Sequence, residues 1–184
     1  MAERATLWPM TDLRYPVGTF SFDPEITRDT RRIWIRQIAG APAALRAATS
    51  GLDGRQLDTP YRPGGWTVRQ VVHHLPDSHL NAYIRFKLSL TEDNPTIKPY
   101  DEAAWARIAD TARTPTDVSL ALLDALHRRW VVLLESLADS DFARPLHHPE
   151  IGPITLDYLL QMYAWHGRHH VAHIVELRKR EGWT

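Results

Sequence analysis

The sequence predicts an all-α protein, a four-helix bundle with long connections and an extended N-terminal arm. Three observations lead there. Four long segments carry apolar residues at helical spacing, no segment reads convincingly as a strand, and there is no internal repeat. A chain of 184 residues suits one ordinary core, so a single domain over residues 1–184 is expected.

Residues 1–22 contain Pro9, Pro16 and Gly18 and show no sustained period, which predicts the arm. Asp23-Pro24-Glu25 then reads as an N-cap, a proline at the first helical position and an acid in the first turn. Ile26, Ile33, Trp34, Ile38, Leu45 and Leu52 keep a helical period to about residue 50, with a kink expected at Gly40 and Pro42. Residues 57–65 are dense in turn formers and form a connection. Thr67 and Gln70 have capping-box spacing and Trp66 can staple onto Val71, so a second helix is predicted from about Val68 to about Leu90, distorted locally at Pro76. Pro95, Pro99 and Pro115 break residues 91–115 into a long connection, with a short helix from about Asp101 to Ala109. A third helix starts near Thr116 or Ser119 with the stripe Leu120, Leu123, Leu126, Trp130, Leu133, Leu134 and Leu137. After a connection holding His147, His148, Pro149, Gly152 and Pro153, Thr155 caps the fourth helix. Asp157 suits its first turn, Arg178, Lys179 and Arg180 its last, and Gly182 its close.

Composition narrows the chemistry. Lys plus Arg and Asp plus Glu both number 22, so no basic excess points to nucleic acid. Seven tryptophans read as core and interface rather than as a platform for bases. No segment approaches the roughly 20 apolar residues of a membrane span. The start, Met-Ala-Glu-Arg-Ala-Thr-Leu-Trp-Pro, lacks the apolar core of a signal peptide, and the expected address is the cytoplasm. The absence of cysteine removes disulfides, thiolate metal sites and any cysteine nucleophile. No Gly-x-Ser-x-Gly elbow, phosphate loop or dinucleotide fingerprint is present. Asp77, Glu102 and Glu176 are conceivable catalytic carboxylates, but surface or helix-pairing roles are commoner for such charges.

Ten histidines remain, and a bound transition metal would have to use them. The fourth helix carries His166, His169, His170 and His173. A lone histidine usually caps, packs or faces water, whereas an i,i+4 pair on a core-facing stripe can offer two imidazoles to one ion. At about 100° per residue, His166 and His170 fall on the apolar line of Leu159, Tyr163, Ile174 and Leu177. His173 lies at its margin, and His169 is expected to face solvent. Two ligands make a weak site, so a third is needed from elsewhere. The second helix offers His73, His74 and His79. His79 shares the apolar face of Val68, Val71, Leu75 and Phe86, while His74 heads a polar line of Gln70, His74, Ser78, Asn81 and Arg85. Such a line is more often a solvated face than an internal cleft, and spacing leaves His74 and His79 level.

Residues 57–75, from Leu57-Asp58-Thr59-Pro60-Tyr61 through Gly64-Gly65-Trp66-Thr67 to His73-His74-Leu75, strongly resemble the YfiT type of the DinB-like four-helix-bundle superfamily. So do Tyr83 to Leu90 and Trp165 to Ile174, and the similarity extends from Tyr15-Pro16-Val17-Gly18 to Gly182-Trp183. The resemblance implies one divalent metal ion per chain, zinc or alternatively nickel, held by three histidines from two helices. Carried over onto the matching motifs, these are His74, His166 and His170. It further implies a cytoplasmic homodimer. Pro76 departs from the pattern, since relatives tend to have alanine there.

Three neutral imidazoles leave an ion an open position for water or a thiol, the arrangement of a catalytic rather than a structural site. The family's usual label of metal-dependent hydrolase implies activated water. The link of some YfiT-like proteins to bacillithiol implies instead an S-transferase acting on a small-molecule thiol and an electrophile. The polar line would then hold the thiol cosubstrate through Arg85, Asn81, Ser78 and Gln70. A non-catalytic metal-dependent binding or stress-response module is the third reading. It would favour a closed site with a fourth ligand, for which His79, His173 and Asp77 are the candidates.

Overall fold

A computed structural model describes residues 12–183. The start of the expected arm, with Pro9, therefore lies outside the described residues. In chain order the elements are α1 (Arg28–Thr49), α2 (Gly54–Leu57), α3 (Val68–Thr91), α4 (Glu102–Trp105), α5 (Ala109–Arg113), α6 (Thr116–Ser136), β1 (Pro145–His148), β2 (Gly152–Thr155) and α7 (Leu156–Glu181). The long helices α1, α3, α6 and α7 form the four-helix bundle.

Both α1 and α3 pack against α6 and α7. Chain neighbours α1 and α3 therefore oppose each other across a diagonal, as do α6 and α7. A diagonal step is too wide for a tight helix–helix turn, which is one reason the α1–α3 and α6–α7 connections are long.

The first helix begins later than the sequence suggests. Asp23 is not its N-cap: its backbone is held on both sides by the Gln161 amide, with Asp23 N–H donating to Oε1 at 2.9 Å and Gln161 Nε2 donating to the Asp23 carbonyl at 2.8 Å. That clamp keeps Asp23 out of helical geometry, and Thr27 caps α1 through a reciprocal box with Thr30. The helix then continues through Gly40 and Pro42, as α3 does through Pro76. The α3 cap is the Thr67–Gln70 box expected from the spacing. The short helix expected near residues 101–109 resolves into two, α4 capped by Asp101 and α5 beyond it.

The two strands are also a correction to the sequence reading. β1 and β2 form an antiparallel hairpin in the register Pro145–Thr155, Leu146–Ile154, His147–Pro153 and His148–Gly152. Strands of four residues containing His-His and Gly-Pro carry no usable alternation. They are held by partners far away in the chain: His147 N–H bonds the Pro95 carbonyl at 2.9 Å, and Ile97 N–H bonds the His147 carbonyl at 3.0 Å.

The core lies in two apolar layers. One surrounds Trp130, Phe86, Leu134 and Leu160, and the other surrounds Leu45, Val71, Leu75, Leu123 and Ile174. Residues between these layers along the helices include His79 on α3, His127 on α6, and His166 and His170 on α7, with His74 next to Leu75 at the inner edge of the second layer. A band of imidazoles thus crosses the middle of the bundle. Close approach of α1 to α7 at this level uses Gly167, where an added Cβ would come within 3.1 Å of the Ala41 Cβ. The helix bears the roughly 1 kcal/mol cost of an internal glycine because the neighbouring helix needs the space. At one end Arg31 grips Asp157 with two bonds of 2.8 Å, tying the start of α1 to the first turn of α7. At the other end Arg178 donates to the Ala48 and Ser50 carbonyls at the close of α1, at 3.0 and 2.9 Å.

Candidate metal centre

Adjacent helices α3 and α7 bring His74, His166 and His170 together, with one ring nitrogen from each lying within 4.8 Å of the others. His166 and His170 stand one turn apart on the face that Leu159, Tyr163 and Ile174 bury. His74 meets them from α3, its Nε2 3.3 Å from that of His166. Two nitrogens bound at about 2.0–2.1 Å to one tetrahedral zinc are about 3.3–3.4 Å apart, so this pair already has the spacing of two ligands. Burial drives the His74 pKa down to about 4. It holds His166 and His170 far below the usual histidine value as well, with neighbouring histidines adding to the effect. Neutral imidazole is the form that binds a metal, so the donor set fits a divalent cation.

The loop before α3 roofs this cluster. Tyr61 N–H bonds the Trp66 carbonyl at 3.0 Å, closing a turn that Gly64 permits with φ +68°. Trp66 then lies 4.6 Å from the His74 ring and stacks at 6.2 Å on His170. Beside the three histidines opens a cleft of about 470 Å³, lined among others by Ser78, Arg85, Tyr100, Glu102, His148 and Tyr163.

The polar line of α3 divides at this point. Ser78 and Arg85 line the cleft, whereas Gln70 and Asn81 do not. Gln70 spends its amide on the Thr67 cap and the Ala106 carbonyl, and Asn81 donates to the Asp77 carbonyl at 2.9 Å. Arg85 is only 8% exposed and forms no ion pair among the described residues, although Glu102 and Glu150 line the same cleft. Its contacts are long, 3.4 Å to the Tyr163 hydroxyl and 3.5 Å to the Lys98 carbonyl.

The candidates for a fourth ligand are engaged elsewhere. His79 is fully buried, with Nε2 at 3.1 Å from His166 Nδ1 and Nδ1 at 2.7 Å from His127 Nε2. His173 stacks on Tyr61 at 3.9 Å and donates from Nε2 to the Arg14 carbonyl at 3.1 Å. Asp77 is outside the cluster. His73 reaches across to α6, its Nδ1 2.7 Å from Ser119 Oγ. His169 is buried rather than solvent-facing, because its ring stacks on Trp165 at 4.3 Å and the arm residue Tyr15 covers it at 5.9 Å.

One participant escaped the sequence reading. His127, 1% exposed on α6, bonds both His79 and the Ile38 carbonyl. The available signal was a histidine on an apolar stripe, between Leu123 and Trp130.

Residues 37–174 match the model of the DinB superfamily. The chain belongs to that superfamily. Over 174 residues, 95% of this chain and all of the relative, it is 56% identical to a protein of Bacillus cereus (strain B4264) named "Putative metal-dependent hydrolase". A Bacillus thuringiensis subsp. konkukian (strain 97-27) protein with the same description is equally similar. Among solved structures it resembles YfiT from Bacillus subtilis, described as "a probable metal-dependent hydrolase with an unusual four-helix bundle topology". The TM-score is 0.91 at 50% identity, covering 94% of this chain and 99% of YfiT. This DinB-superfamily chain therefore carries its histidine triad, with His74 and His170 buried and His166 half-buried, within a YfiT-like bundle.

Proposed function

We propose that His74, His166 and His170 hold one divalent metal ion, zinc or alternatively nickel, and that the protein is an S-transferase joining a small thiol of the bacillithiol type to an electrophile. The observation that carries this reading is three neutral imidazoles meeting at a cleft whose wall contains a buried arginine with no ion pair among the described residues. An ion with three histidine ligands and an open position supplies Lewis acidity that lowers the pKa of a thiol or water placed there. The chain has no cysteine, so the thiol is a cosubstrate. Arg85 pairs with a carboxylate of that thiol, since its guanidinium is buried and no carboxylate of the described residues is in direct contact with it. Ser78 offers a hydroxyl to the same ligand. A cleft of about 470 Å³ lies within the range of small-molecule sites, roughly 300–1,000 Å³.

Hydrolysis by activated water is the second reading, favoured by the description given to the relatives. The two separate in one experiment, in which zinc-loaded protein is given 1-chloro-2,4-dinitrobenzene with and without bacillithiol, and in parallel p-nitrophenyl acetate. Metal-dependent conjugation that requires the thiol, with Arg85→Ala raising KM for the thiol more than for the electrophile, supports transfer. Thiol-independent ester hydrolysis exceeding any conjugation overturns it in favour of hydrolysis. A cytoplasmic homodimer belongs to the same proposal. It is supported by exposed Leu80 and Ile84 on α3 and Leu122 and Val132 on the adjoining α6, and light scattering tests the dimer.

A further inference from the structure

Behind His166 runs a chain of hydrogen bonds that begins at a backbone carbonyl. In a regular α-helix the Ile38 carbonyl would accept from the N–H of residue 42, but that residue is Pro42, which has no N–H to give. His127 takes the vacant acceptor, its Nδ1 2.6 Å from the Ile38 oxygen. A carbonyl can only accept, so this contact requires the proton of His127 on Nδ1 and leaves its Nε2 as a lone pair. The lone pair faces His79 Nδ1 at 2.7 Å, so His79 donates from Nδ1, and its own Nε2 becomes an acceptor. That acceptor faces His166 Nδ1 at 3.1 Å, so the His166 proton also sits on Nδ1. What remains on His166 is the lone pair of Nε2, the atom 3.3 Å from His74 Nε2. The logic needs one proton per ring. His79 and His127 are buried and His166 half-buried, and none has a carboxylate among its hydrogen-bond partners, so all three meet that condition as neutral imidazoles.

We propose that His127 and His79 are positioning residues that transmit the polarity of the Ile38 carbonyl through two imidazoles, setting the His166 tautomer so that Nε2 is presented as a metal donor. This rests on the reading of His166 as a ligand. Orientation is enforced together with the tautomer. His79 and His127 lie edge to edge and nearly coplanar, 17° apart with centroids at 4.8 Å, and Trp130 meets both rings edge-on at 5.9 and 5.8 Å, so neither can rotate without displacing the core. In a neutral histidine the hydrogen bond made by one nitrogen decides whether the other can bind a metal.

The test uses the full-length protein, zinc-free and zinc-loaded, labelled with 15N-histidine. Long-range 1H–15N correlation distinguishes protonated from unprotonated ring nitrogens. In the zinc-free protein the expected result is a proton on Nδ1 of His127, His79 and His166. A proton on Nε2 of any of the three, or on both nitrogens, overturns the chain. The second measurement is zinc affinity by competition with a chromogenic chelator. His127→Phe is expected to weaken zinc binding about 10–100-fold, the usual effect of removing a group that orients a ligand. His127→Gln, which restores an acceptor near the position of Nε2, should recover most of it. Unchanged affinity in a folded His127→Phe protein overturns the proposal, and if that variant does not fold, the wild-type spectrum and His127→Gln decide. Wild-type protein that shows the stated tautomers yet binds no zinc overturns the metal reading itself, leaving the chain with no ligand to orient.

Discussion

Acidification of the metal-free protein should unfold it through its buried histidines, and the size of the effect follows from their burial. His74 and His127 bind a proton near pH 6.5 when unfolded but only near 4 in the fold, chiefly because burial opposes the charged ring. Above pH 6.5 both states are neutral and these rings exert no pH effect. Between 6.5 and 4 the unfolded chain takes up protons that the folded chain refuses, so stability falls with pH. Each ring then removes about 1.8 kcal/mol between pH 7 and pH 5, and the two together roughly 3–4 kcal/mol. His79, His166 and His170 shift in the same direction, also through burial. Asp77, pushed up to about 6 by burial and by Asp110, offsets part of the loss. Against a total stability of about 5–15 kcal/mol the loss is severe. For a chain of this size it corresponds to a drop in Tm of at least roughly 7–14 °C. Circular dichroism melts in EDTA at pH 7, 6 and 5 would read it directly, and His127→Gln should remove close to half of the two-ring part. A Tm that stays level from pH 7 to pH 5 would refute the argument, because the rings would then have to be solvated or paired in a way the structure does not show.

Other perturbations test the triad and the core. Alanine at His74, His166 or His170 should reduce zinc retained after dialysis, measured by mass spectrometry, from near one ion per chain to a small fraction. His169→Ala should retain the ion and lose about 1–3 kcal/mol, because its ring packs on Trp165 and Tyr15 rather than joining the cluster. Equal zinc loss in all four variants would contradict the assignment. Chelation at pH 7 should lower Tm while preserving the helical circular dichroism at 25 °C, since two apolar layers are buried without any ion. Loss of most helicity would mark the metal as structural. Trp130→Ala should cost about 3–5 kcal/mol in urea unfolding, because Trp130 is fully buried between the histidine band and Phe86.

The four long helices were legible because their signals are local. Thr67 and Gln70, Thr155, Gly182 and the stripe from Leu120 to Leu134 act within a few residues of themselves. The i,i+4 pair His166 and His170 was legible for the same reason: one helix sets their common angle whatever packs against it. Local signals also misled in places. Asp23-Pro24-Glu25 has the form of a helix start, yet the Gln161 amide, far along the chain, claims its backbone. Gln70 and Asn81 share a helix face with Ser78 and Arg85, but nearby carbonyls consume their amides before a ligand could.

By itself the sequence determined the helices, the inward turn of His166 and His170, and, for any bound transition metal, a donor set drawn mostly from imidazole because cysteine is absent. Its motifs also placed the chain with its relatives and pointed to His74. Only the tertiary structure decided the rest. Spacing along α3 left His74 and His79 level, and the angle and depth at which α3 meets α7 put His74 beside the pair and His79 behind it. His127 acquired its part because α6 packs against both α1 and α3, opposite a carbonyl that Pro42 had left open. The arm and the loop before α3 buried His169 and His173, which helical geometry alone would have left at the surface or its edge. The physical reason is common to all of these. Covalent spacing sets where a side chain points around its own helix axis, whereas its neighbours, its burial and hence its protonation are set by which helices the rest of the chain brings alongside.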